Sequence, residues 1–311
     1  MSARPAIAEA GISQFPSTET LLTGDGRKLH LRRWLAPGIP FGTVQIVHGL
    51  GEHLGRYEAL AAALNTAGWD VAGHDQRGHG RSDGPRARIA GDHTLLVDLA
   101  AVVDHLRGKG PHILLGHSMG GLVAARFVAE ALMNAAPRWA RDVDGLVMSS
   151  PALDLGLGRS RRALVSMLSK LAPSLPLKNG IKPEWISRDP EVVKRYVNDP
   201  LVHKRITPHL ARFLVQSGQL VLRRAPRWRT PTLLLWAGDD RCVAPAGSAA
   251  FAAAAPPAVV TSHEFPGLYH EIFNEPEREA VIDQLTGWLQ QFQAATPAPR
   301  SKNHERTPAP R

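Results

Sequence analysis

Short apolar runs alternate with longer amphipathic segments along most of the chain. The apolar runs cover residues 43–47, 69–72, 112–115, 145–148 and 232–236, and their length predicts strands that are buried on both faces. The amphipathic segments cover residues 57–66, 94–107 and 120–133, where apolar residues recur at the spacing of a helix. Because strand and helix alternate, we predict an α/β fold in which a mostly parallel sheet is flanked by helices.

Two further patterns lie at the ends of this alternation. Residues 20–22 and 28–35 flank a Gly-Asp-Gly turn, which predicts an antiparallel hairpin at one edge of the sheet. A last helix is expected to begin near Pro276 and to end at about Gln293. Residues 295–311 contain the sequence Thr-Pro-Ala-Pro-Arg twice, a composition that predicts a disordered tail.

The middle of the chain departs from the alternation. Prolines break residues 152–226 into helix-length pieces, so we predict a helical cap inserted between two parts of the core, residues 1–151 and 227–294. Within the cap, residues 161–171 carry leucines and Met167 at helical spacing beside arginine and lysine. Such a helix either packs over the core with its charges in water or lies on a lipid surface, and the sequence leaves both open.

The positive charge of the chain is concentrated in the same segment. The formal net charge is +9, and residues 152–226 hold 14 lysines or arginines against 5 aspartates or glutamates, a surplus of 9. Aromatic residues are sparse there and no nucleic-acid motif is present, so we do not expect a nucleic-acid partner. The surplus fits either peripheral contact with an anionic membrane or ordinary solvated helix faces.

The sequence favours a cytoplasmic protein. The sequence contains no run of about 18 apolar residues, the length needed to span a bilayer. The first fifteen residues lack the apolar stretch of a secretory signal. The single cysteine, Cys242, cannot form an internal disulfide, which suits a reducing compartment and excludes a cysteine-based zinc site. The basic cap offers a route to the inner membrane surface.

The strongest chemical signal surrounds Ser118. Residues 116–121 read Gly-His-Ser-Met-Gly-Gly, directly after an apolar run and directly before an amphipathic segment. A sharp turn from strand to helix strains the middle residue and requires small residues two positions before and after it. The start of a helix also favours a developing negative charge. We therefore predict that Ser118 is a nucleophile.

A serine nucleophile needs a base, and the base needs an acid that orients it. Their order along the chain in this arrangement is serine, carboxylate, histidine. Two carboxylates, Asp239 and Asp240, follow the apolar run 232–236, and His270 lies in a loop beyond a further strand. We assign His270 as the base and prefer Asp240 as the acid, with Asp239 as the alternative. His263 competes for the base, but it lies within the predicted strand and is expected to point into packing.

The negative oxygen of the reaction intermediate needs two backbone amides. Met119, directly after the nucleophile, supplies one, and the glycine-rich loop after the first core strand supplies the other, with Leu50 preferred. Four neighbouring residues are predicted to contact the substrate: His48, Gly49, Gly51 and His117. No cofactor and no metal are implied by this chemistry.

Four motifs together closely resemble the bacterial and animal monoacylglycerol lipase family, often grouped with lysophospholipases. The motifs are HGLGEH at 48–53 followed by Arg56 and Tyr57, DQRGHGRS at 75–82, GHSMGG at 116–121 and HEIFNE at 270–275. The resemblance covers about residues 24–291. It implies an α/β-hydrolase fold, a triad of Ser118, Asp240 and His270, oxyanion donors at Leu50 and Met119, and a cap that shapes an apolar acyl tunnel.

The implied activity is hydrolysis of a monoacylglycerol, a one-chain lipid ester, to fatty acid and glycerol. A lysophospholipase or a general carboxylesterase could use the same residues on another head group. A non-catalytic binding protein of this fold is disfavoured, because such a protein would be free to lose the serine, the histidine or the glycines. The family usually carries a small residue where Leu50 stands, so the pocket for the alcohol is expected to differ in size.

Two groups of motif residues are expected to be structural. Glu52, His53 and Arg56 should form a polar bracket that holds the oxyanion loop, with direct contact to the substrate as the alternative. Residues 75–82 should form a rigid loop near the site, braced by a hydrogen bond of Asp75 or Arg77.

Overall fold

A computed structural model describes residues 16–133 and 135–293 of the chain. The predicted tail at 295–311 therefore lies outside the described residues. The strands are β1 (Ser17–Leu22), β2 (Lys28–Trp34), β3 (Thr43–Val47), β4 (Asp70–His74), β5 (His112–His117), β6 (Gly145–Ser149), β7 (Leu177–Lys178), β8 (Arg205–Ile206), β9 (Thr232–Ala237) and β10 (Val260–Phe265).

The α-helices are α1 (Glu58–Thr66), α2 (Thr94–Leu106), α3 (Met119–Ala131), α4 (Arg159–Leu171), α5 (Pro190–Asn198), α6 (Pro208–Arg224), α7 (Pro245–Ala254) and α8 (Arg278–Leu289). Short 3₁₀ turns occur at Leu54–Tyr57, Pro183–Trp185, Ala225–Arg227, Ile272–Asn274 and Gln290–Phe292. Within the part of the chain that the structure describes, no helix has both the length and the apolar character needed to cross a bilayer.

Eight strands form one sheet in the order β1-β2-β4-β3-β5-β6-β9-β10. The pairs β1–β2 and β2–β4 are antiparallel, and every later pair is parallel. The predicted class, a mostly parallel sheet with a hairpin at one edge, is confirmed. Parallel strands have their carboxyl ends at the same edge, so the loops after β3, β5, β9 and β10 meet there.

Apolar side chains cover both faces of the sheet. All residues of β5, β6 and β9 are buried, which explains why their sequences are continuous apolar runs rather than alternating ones. One face packs against α2, α3 and α7, with α6 joining the same buried cluster through α3 and α7, and the other packs against α1 and α8. Each fully buried leucine or valine stabilises this arrangement by about 1.5–3 kcal/mol, so the carboxyl ends of the strands are held rigidly.

The segment between β6 and β9, here called the insertion, is mainly helical. It contains α4, α5 and α6 together with the antiparallel pair of β7 and β8. Helix α6 is fixed to the core, because Phe213, Leu214 and Val221 belong to the same buried cluster as α3. Most of α4 is exposed, and Ser169 is its one buried residue. The cap boundaries at residues 152 and 226 stay a prediction.

Two local expectations differ from the structure. The last helix begins at Arg278 and ends at Leu289, with a single 3₁₀ turn after it. The expectation that His263 points into packing was wrong, because this side chain is exposed. Strand β10 lies at the edge of the sheet, and only its end residues, Val260 and Phe265, are buried.

Helix α3 approaches the end of β3 with no room for a side chain. A Cβ atom at Gly120 would lie 1.9 Å from the carbonyl oxygen of Val47 and 2.4 Å from that of His48. We predict that Gly120→Ala lowers the free energy of unfolding by about 3 kcal/mol or more, because two backbone atoms would have to move. Urea denaturation measures the change.

Gly287→Ala in α8 is the matched control. A Cβ atom there meets nothing within 4 Å, so the higher helix propensity of alanine should raise stability by about 0.5–1 kcal/mol. Equal unfolding midpoints for the two variants would contradict the close approach.

Candidate active site

Ser118 lies in the turn between β5 and α3, with φ 54° and ψ −119°. This is the left-handed region that residues other than glycine rarely adopt. Neighbouring backbone groups hold the strained turn: the amide of Ser118 donates to the Ser149 carbonyl at 2.9 Å, and the Ser118 carbonyl accepts from Leu122 and Ala152 at 3.0 Å each. The turn therefore presents the hydroxyl in one fixed position.

The three side chains predicted for the triad form a hydrogen-bonded chain. His270 Nε2 lies 2.8 Å from Ser118 Oγ, and His270 Nδ1 lies 2.7 Å from Asp240 Oδ2. Because a carboxylate only accepts, Nδ1 carries the hydrogen and Nε2 is free to accept the serine proton. This arrangement can convert a hydroxyl into a nucleophile.

The backbone holds the Asp240 carboxylate in place. Its second oxygen, Oδ1, accepts hydrogen bonds from the amides of Cys242 at 2.8 Å and Val243 at 3.0 Å. Asp239 is exposed, and its amide donates to the Leu268 carbonyl at 3.1 Å. The structure thus brings Asp240, and not Asp239, to the histidine.

His270 is a stronger base than an ordinary histidine. Burial alone lowers the pKa of His270, but the negative charge of Asp240 and the hydrogen bond to it outweigh burial, so the pKa lies above 6.5. The charges of Glu271 and Glu52 raise this pKa further. A positive imidazolium is therefore stabilised at this site.

Two backbone amides lie beside the serine. Met119 is the first residue of α3, so its amide has no carbonyl partner within the helix. Leu50 lies in the loop after β3 and lines the same cavity as Ser118 and Met119. Both predicted oxyanion donors therefore line the cavity that contains Ser118, and their role stays a prediction.

A buried carboxylate holds the loop that contains Leu50. Glu52 Oε1 accepts from the Gly49 amide at 2.5 Å and from the Tyr57 hydroxyl at 2.7 Å, and Oε2 accepts from Arg56 at 2.8 Å. Burial raises the pKa of Glu52, but the charge of Arg56 dominates and holds the pKa well below its ordinary value. Glu52 thus stays ionised, as the predicted polar bracket requires.

The bracket continues to the residue after the base. The Arg56 guanidinium donates to both oxygens of Glu271, at 2.6 and 2.8 Å, and stacks over the Tyr196 ring at 4.8 Å. His53 contributes at the other end, with Nε2 2.7 Å from Asp199 Oδ2 in the insertion. Sequence analysis gave Glu271 no role beyond its place in the HEIFNE motif and did not assign a role to Tyr196.

The loop at residues 75–82 is braced as expected. Asp75 accepts from the backbone amides of Leu54 and Arg81, each at 2.8 Å. The Arg77 guanidinium contacts Asp98 at 2.7 and 2.8 Å, and also Asp25. The loop therefore forms a rigid wall behind the oxyanion loop.

The four predicted substrate contacts divide into two pairs. Gly49 and His117 line a small polar pocket beside Ser118. His48 and Gly51 line neither this pocket nor the larger cavity, so the structure does not place them against a substrate.

His48 and Gly51 have structural contacts instead. His48 Nδ1 lies 2.8 Å from the Gly49 carbonyl, and Nε2 accepts from the Gln76 amide at 2.8 Å. The carbonyl of Gly51 accepts from His203 of the insertion at 2.8 Å, and a Cβ atom at Gly51 would lie 2.3 Å from the His203 carbonyl oxygen. Both residues hold the oxyanion loop against its neighbours.

His117 lies next to the base and remains uncharged. Its ring centroid is 4.7 Å from that of His270. Burial, followed by the nearby His270, lowers the pKa of His117 to about 4. A neutral imidazole of this kind can form a hydrogen bond with a substrate without competing for the serine proton.

An apolar cavity of about 250 Å³, here called the apolar chamber, also borders Ser118. Its walls come mainly from the insertion and include Val165 and Leu168 of α4, Leu177 and Ile206 of β7 and β8, and Ala211 and Leu214 of α6. Among the described residues that line it, one, Lys178, carries a charge. Sequence analysis missed most of these residues, because no motif distinguishes a leucine at a cavity from any other.

Cys242 also lines the apolar chamber. Burial, together with the charge of Asp240, raises the pKa of the thiol well above its ordinary value. The thiol is therefore protonated and is a weak nucleophile. Its sulfur lies within 4.8 Å of donor atoms of Asp240 and His270, but those two side chains already bind each other.

Comparisons with known proteins agree with this geometry. Residues 38–277 match the family described as serine aminopeptidase, S33. The chain belongs to this S33 family of α/β-hydrolases. Among curated S33-like relatives, a monoacylglycerol lipase of Mycolicibacterium smegmatis is 37% identical over 82% of this chain and 90% of that protein. Phospholipase YtpA of Bacillus subtilis is 30% identical over 81% of this chain and 96% of that protein.

A solved structure extends the likeness to the fold. The monoacylglycerol lipase of Paleococcus ferrophilus is 35% identical, with a TM-score of 0.75 over 85% of this chain and 99% of that one. The predicted family resemblance and the α/β-hydrolase fold are confirmed. The protein is a lipase or esterase member of the S33 family.

The raised pKa of His270 predicts the acid limb of the pH profile. Because only the neutral imidazole accepts the serine proton, kcat/KM for an uncharged nitrophenyl ester should fall as the pH drops through the pKa of the free enzyme, with a midpoint above 6.5. Glu271→Gln removes a charge that raises this pKa, so the midpoint should move to lower pH. Initial rates between pH 5 and pH 9 measure both values.

Glu264→Gln, on the exposed face of β10, is the control and should leave the midpoint unchanged. A wild-type midpoint at or below 6.5 would contradict the electrostatic account.

Proposed function

We propose that the protein hydrolyses the ester bond of monoacylglycerols to fatty acid and glycerol through an acyl-enzyme. The observation that carries the proposal is the position of the Ser118–His270–Asp240 hydrogen-bond chain between an apolar chamber and a polar pocket. Leu50, Ser118 and Ile181 line both cavities. An ester carbonyl at this junction would have its acyl chain on one side and its alcohol on the other.

The apolar chamber suits one hydrocarbon chain. Its volume of about 250 Å³ lies near the lower end of the range of small-molecule sites. Each methylene that leaves water for such a cavity gains about 0.8 kcal/mol. A single acyl chain fits this description better than the two chains of a diacyl lipid.

The polar pocket has a volume of about 20 Å³, which suits a single hydroxyl group of the alcohol. Glu52, Arg56, His117, Tyr196 and Glu271 all line it, and their side chains offer both donors and acceptors. A hydroxyl group of glycerol can both donate and accept a hydrogen bond, so it can pair with these side chains. The half-buried Leu50 side chain lines both cavities, and its bulk would limit the size of the alcohol.

The reaction proceeds in two steps of acyl transfer. Ser118 attacks the ester carbonyl while His270 accepts the hydroxyl proton, and the amides of Leu50 and Met119 stabilise the oxyanion. His270 then returns the proton to the departing glycerol. Water, activated by the same imidazole, releases the fatty acid. Loss of one oxyanion donor would cost about 2.7–4 kcal/mol of transition-state stabilisation.

The alternative substrate is a lysophospholipid. The similarity to phospholipase YtpA, the basic surplus of residues 152–226 and Lys178 in the lining of the chamber support it. Hydrolysis of monoacylglycerol and of the anionic lysophosphatidylglycerol with the same acyl chain separates the two substrates. We expect the higher kcat/KM for the monoacylglycerol, because the polar pocket is small.

Ser118→Ala should lower kcat for monooleoylglycerol and for a nitrophenyl butyrate by at least about 10⁴-fold. The variant should keep the wild-type melting temperature within a few degrees, since it removes a single hydroxyl. Ser262→Ala, at an exposed position of β10, is the matched control and should retain full activity. Retained hydrolysis by Ser118→Ala would end the proposal.

We also propose that α4 docks the protein on anionic membranes. Its apolar stripe divides into two faces: Leu168 lines the apolar chamber, whereas Leu164, Met167 and Leu171 are 49%, 49% and 75% exposed. The exposed Arg161 and Lys170 flank this outer face. A helix with basic and apolar residues exposed together suits the interface of an anionic bilayer.

Co-sedimentation with vesicles tests the docking proposal. Binding should increase with the anionic lipid content and decrease between 50 and 500 mM salt, because the Debye length is about 8 Å at physiological ionic strength. Leu164→Glu should weaken binding, whereas the control Ile39→Glu, at a residue that is 84% exposed outside the insertion, should not. Binding that ignores salt and anionic lipid would contradict the proposal.

A further inference from the structure

Three leucines lie between the apolar chamber and a neighbouring cavity. Leu155, Leu157 and Leu214 line the chamber of about 250 Å³, and the same three residues also line a second cavity of about 90 Å³. These three side chains, here called the leucine wall, separate the two spaces. The second space is here called the outer cavity.

A well-held turn carries two of the three leucines. Asp154 Oδ1 accepts from the Gly156 amide at 3.0 Å and from Arg162 at 3.1 Å, and Arg162 Nε donates to the Leu157 carbonyl at 2.8 Å. The Asp154 carbonyl also accepts from the Ala244 amide at 2.9 Å, which ties the turn to the loop after β9. The wall is therefore a positioned element and not a loose contact.

The third leucine stands on a rigid helix. Leu214 of α6 is 2% exposed and belongs to the main buried cluster. The half-buried Leu155 and Leu157 close the gap from the opposite side. Movement of the turn, rather than of α6, would open the passage.

The outer cavity has the lining expected of a continuation of the chamber. Leu153, Val215 and Leu222 give it apolar surface, and the polar side chains of Asp154, Arg162 and Gln219 form its border with the solvent. Gln219 is exposed, so this border faces water. A path from Ser118 through the chamber and the wall thus passes apolar side chains before it reaches the Asp154–Arg162 ion pair and the surface.

We propose that the leucine wall sets the longest acyl chain that the enzyme hydrolyses efficiently, and that the outer cavity accepts the terminal carbons once the wall is thinned. This inference rests on the ester hydrolysis proposed above. A volume of about 90 Å³ has room for at least three groups of the size of water, which occupies about 30 Å³ each in the liquid. Thinning the wall should therefore extend the preferred chain by about three carbons.

The test measures kcat/KM for nitrophenyl esters with acyl chains of 4 to 18 carbons. For the wild type we expect a rise of up to about fourfold per methylene, until the chain reaches the wall and the values decline. In Leu155→Ala and in Leu157→Ala the maximum should move to chains about three carbons longer. Two variants are used so that a folding defect in one does not decide the result.

Leu222→Ala is the matched control, because Leu222 is half-buried and lines only the outer cavity. It enlarges the space behind the wall without opening the wall, so its maximum should stay at the wild-type length. The inference is overturned if both wall variants keep the wild-type maximum, or if Leu222→Ala shifts it equally.

Binding separates this inference from the proposed reaction. In the Ser118→Ala background, the melting temperature is measured with saturated fatty acids of 8 to 18 carbons. The largest stabilisation should move to longer acids when Leu155→Ala is added. If fatty acids raise the melting temperature in this pattern but the wild type hydrolyses no ester, the role of the leucine wall is supported and the proposed function is contradicted. If the wild type hydrolyses esters but the wall variants change neither the kcat/KM profile nor the melting-temperature profile, the role of the leucine wall is contradicted and the proposed function is supported.

Discussion

The close approach of two backbones, the start of α3 and the end of β3, is the constraint on which the site depends. Gly120 has no side chain, so α3 begins directly against the carbonyls of Val47 and His48. This contact places the first amide of α3 beside the loop that carries Leu50. Backbone geometry thereby fixes the nucleophile, the helix terminus and the oxyanion loop, independently of the other catalytic side chains.

The buried ions around this contact serve both geometry and electrostatics. Burial removes the charges of Glu52, Arg56 and Glu271 from water. This costs considerable solvation free energy, and the close ion pairs offset the cost only in part. Two carboxylates share one guanidinium, so the group carries a net negative charge near His270. The same residues that hold the oxyanion loop therefore also stabilise the imidazolium that forms when the serine gives up its proton.

The catalytic residues could be predicted from sequence because the local backbone demands particular residue types. A strained turn needs glycines around Ser118, and chain order restricts the base and the acid to a few candidates. His48 illustrates the limit of this reasoning. A histidine beside the site suggests contact with a substrate, yet its ring is occupied on both nitrogens by neighbouring backbone groups. Only the packing of two distant loops decides that orientation.

The walls of the chamber could not be predicted for a related reason. Leu168 and Leu214 belong to ordinary amphipathic stripes, and nothing in their spacing shows whether they face a core or a cavity. His263 failed in the opposite sense. A strand pattern predicted burial, but β10 ends the sheet and leaves its middle residues in water.

The unequal attachment of the insertion has a consequence for how such enzymes can diversify. Helix α6 shares its buried side chains with α3, whereas α4 rests on the surface. An exchange of the whole insertion between relatives would also replace α6 and so disrupt the buried cluster that α6 shares with α3. Recombination that retains β6 and α6 and replaces only the segment between them would change the apolar chamber and the exposed face of α4 together, and the buried core would stay intact.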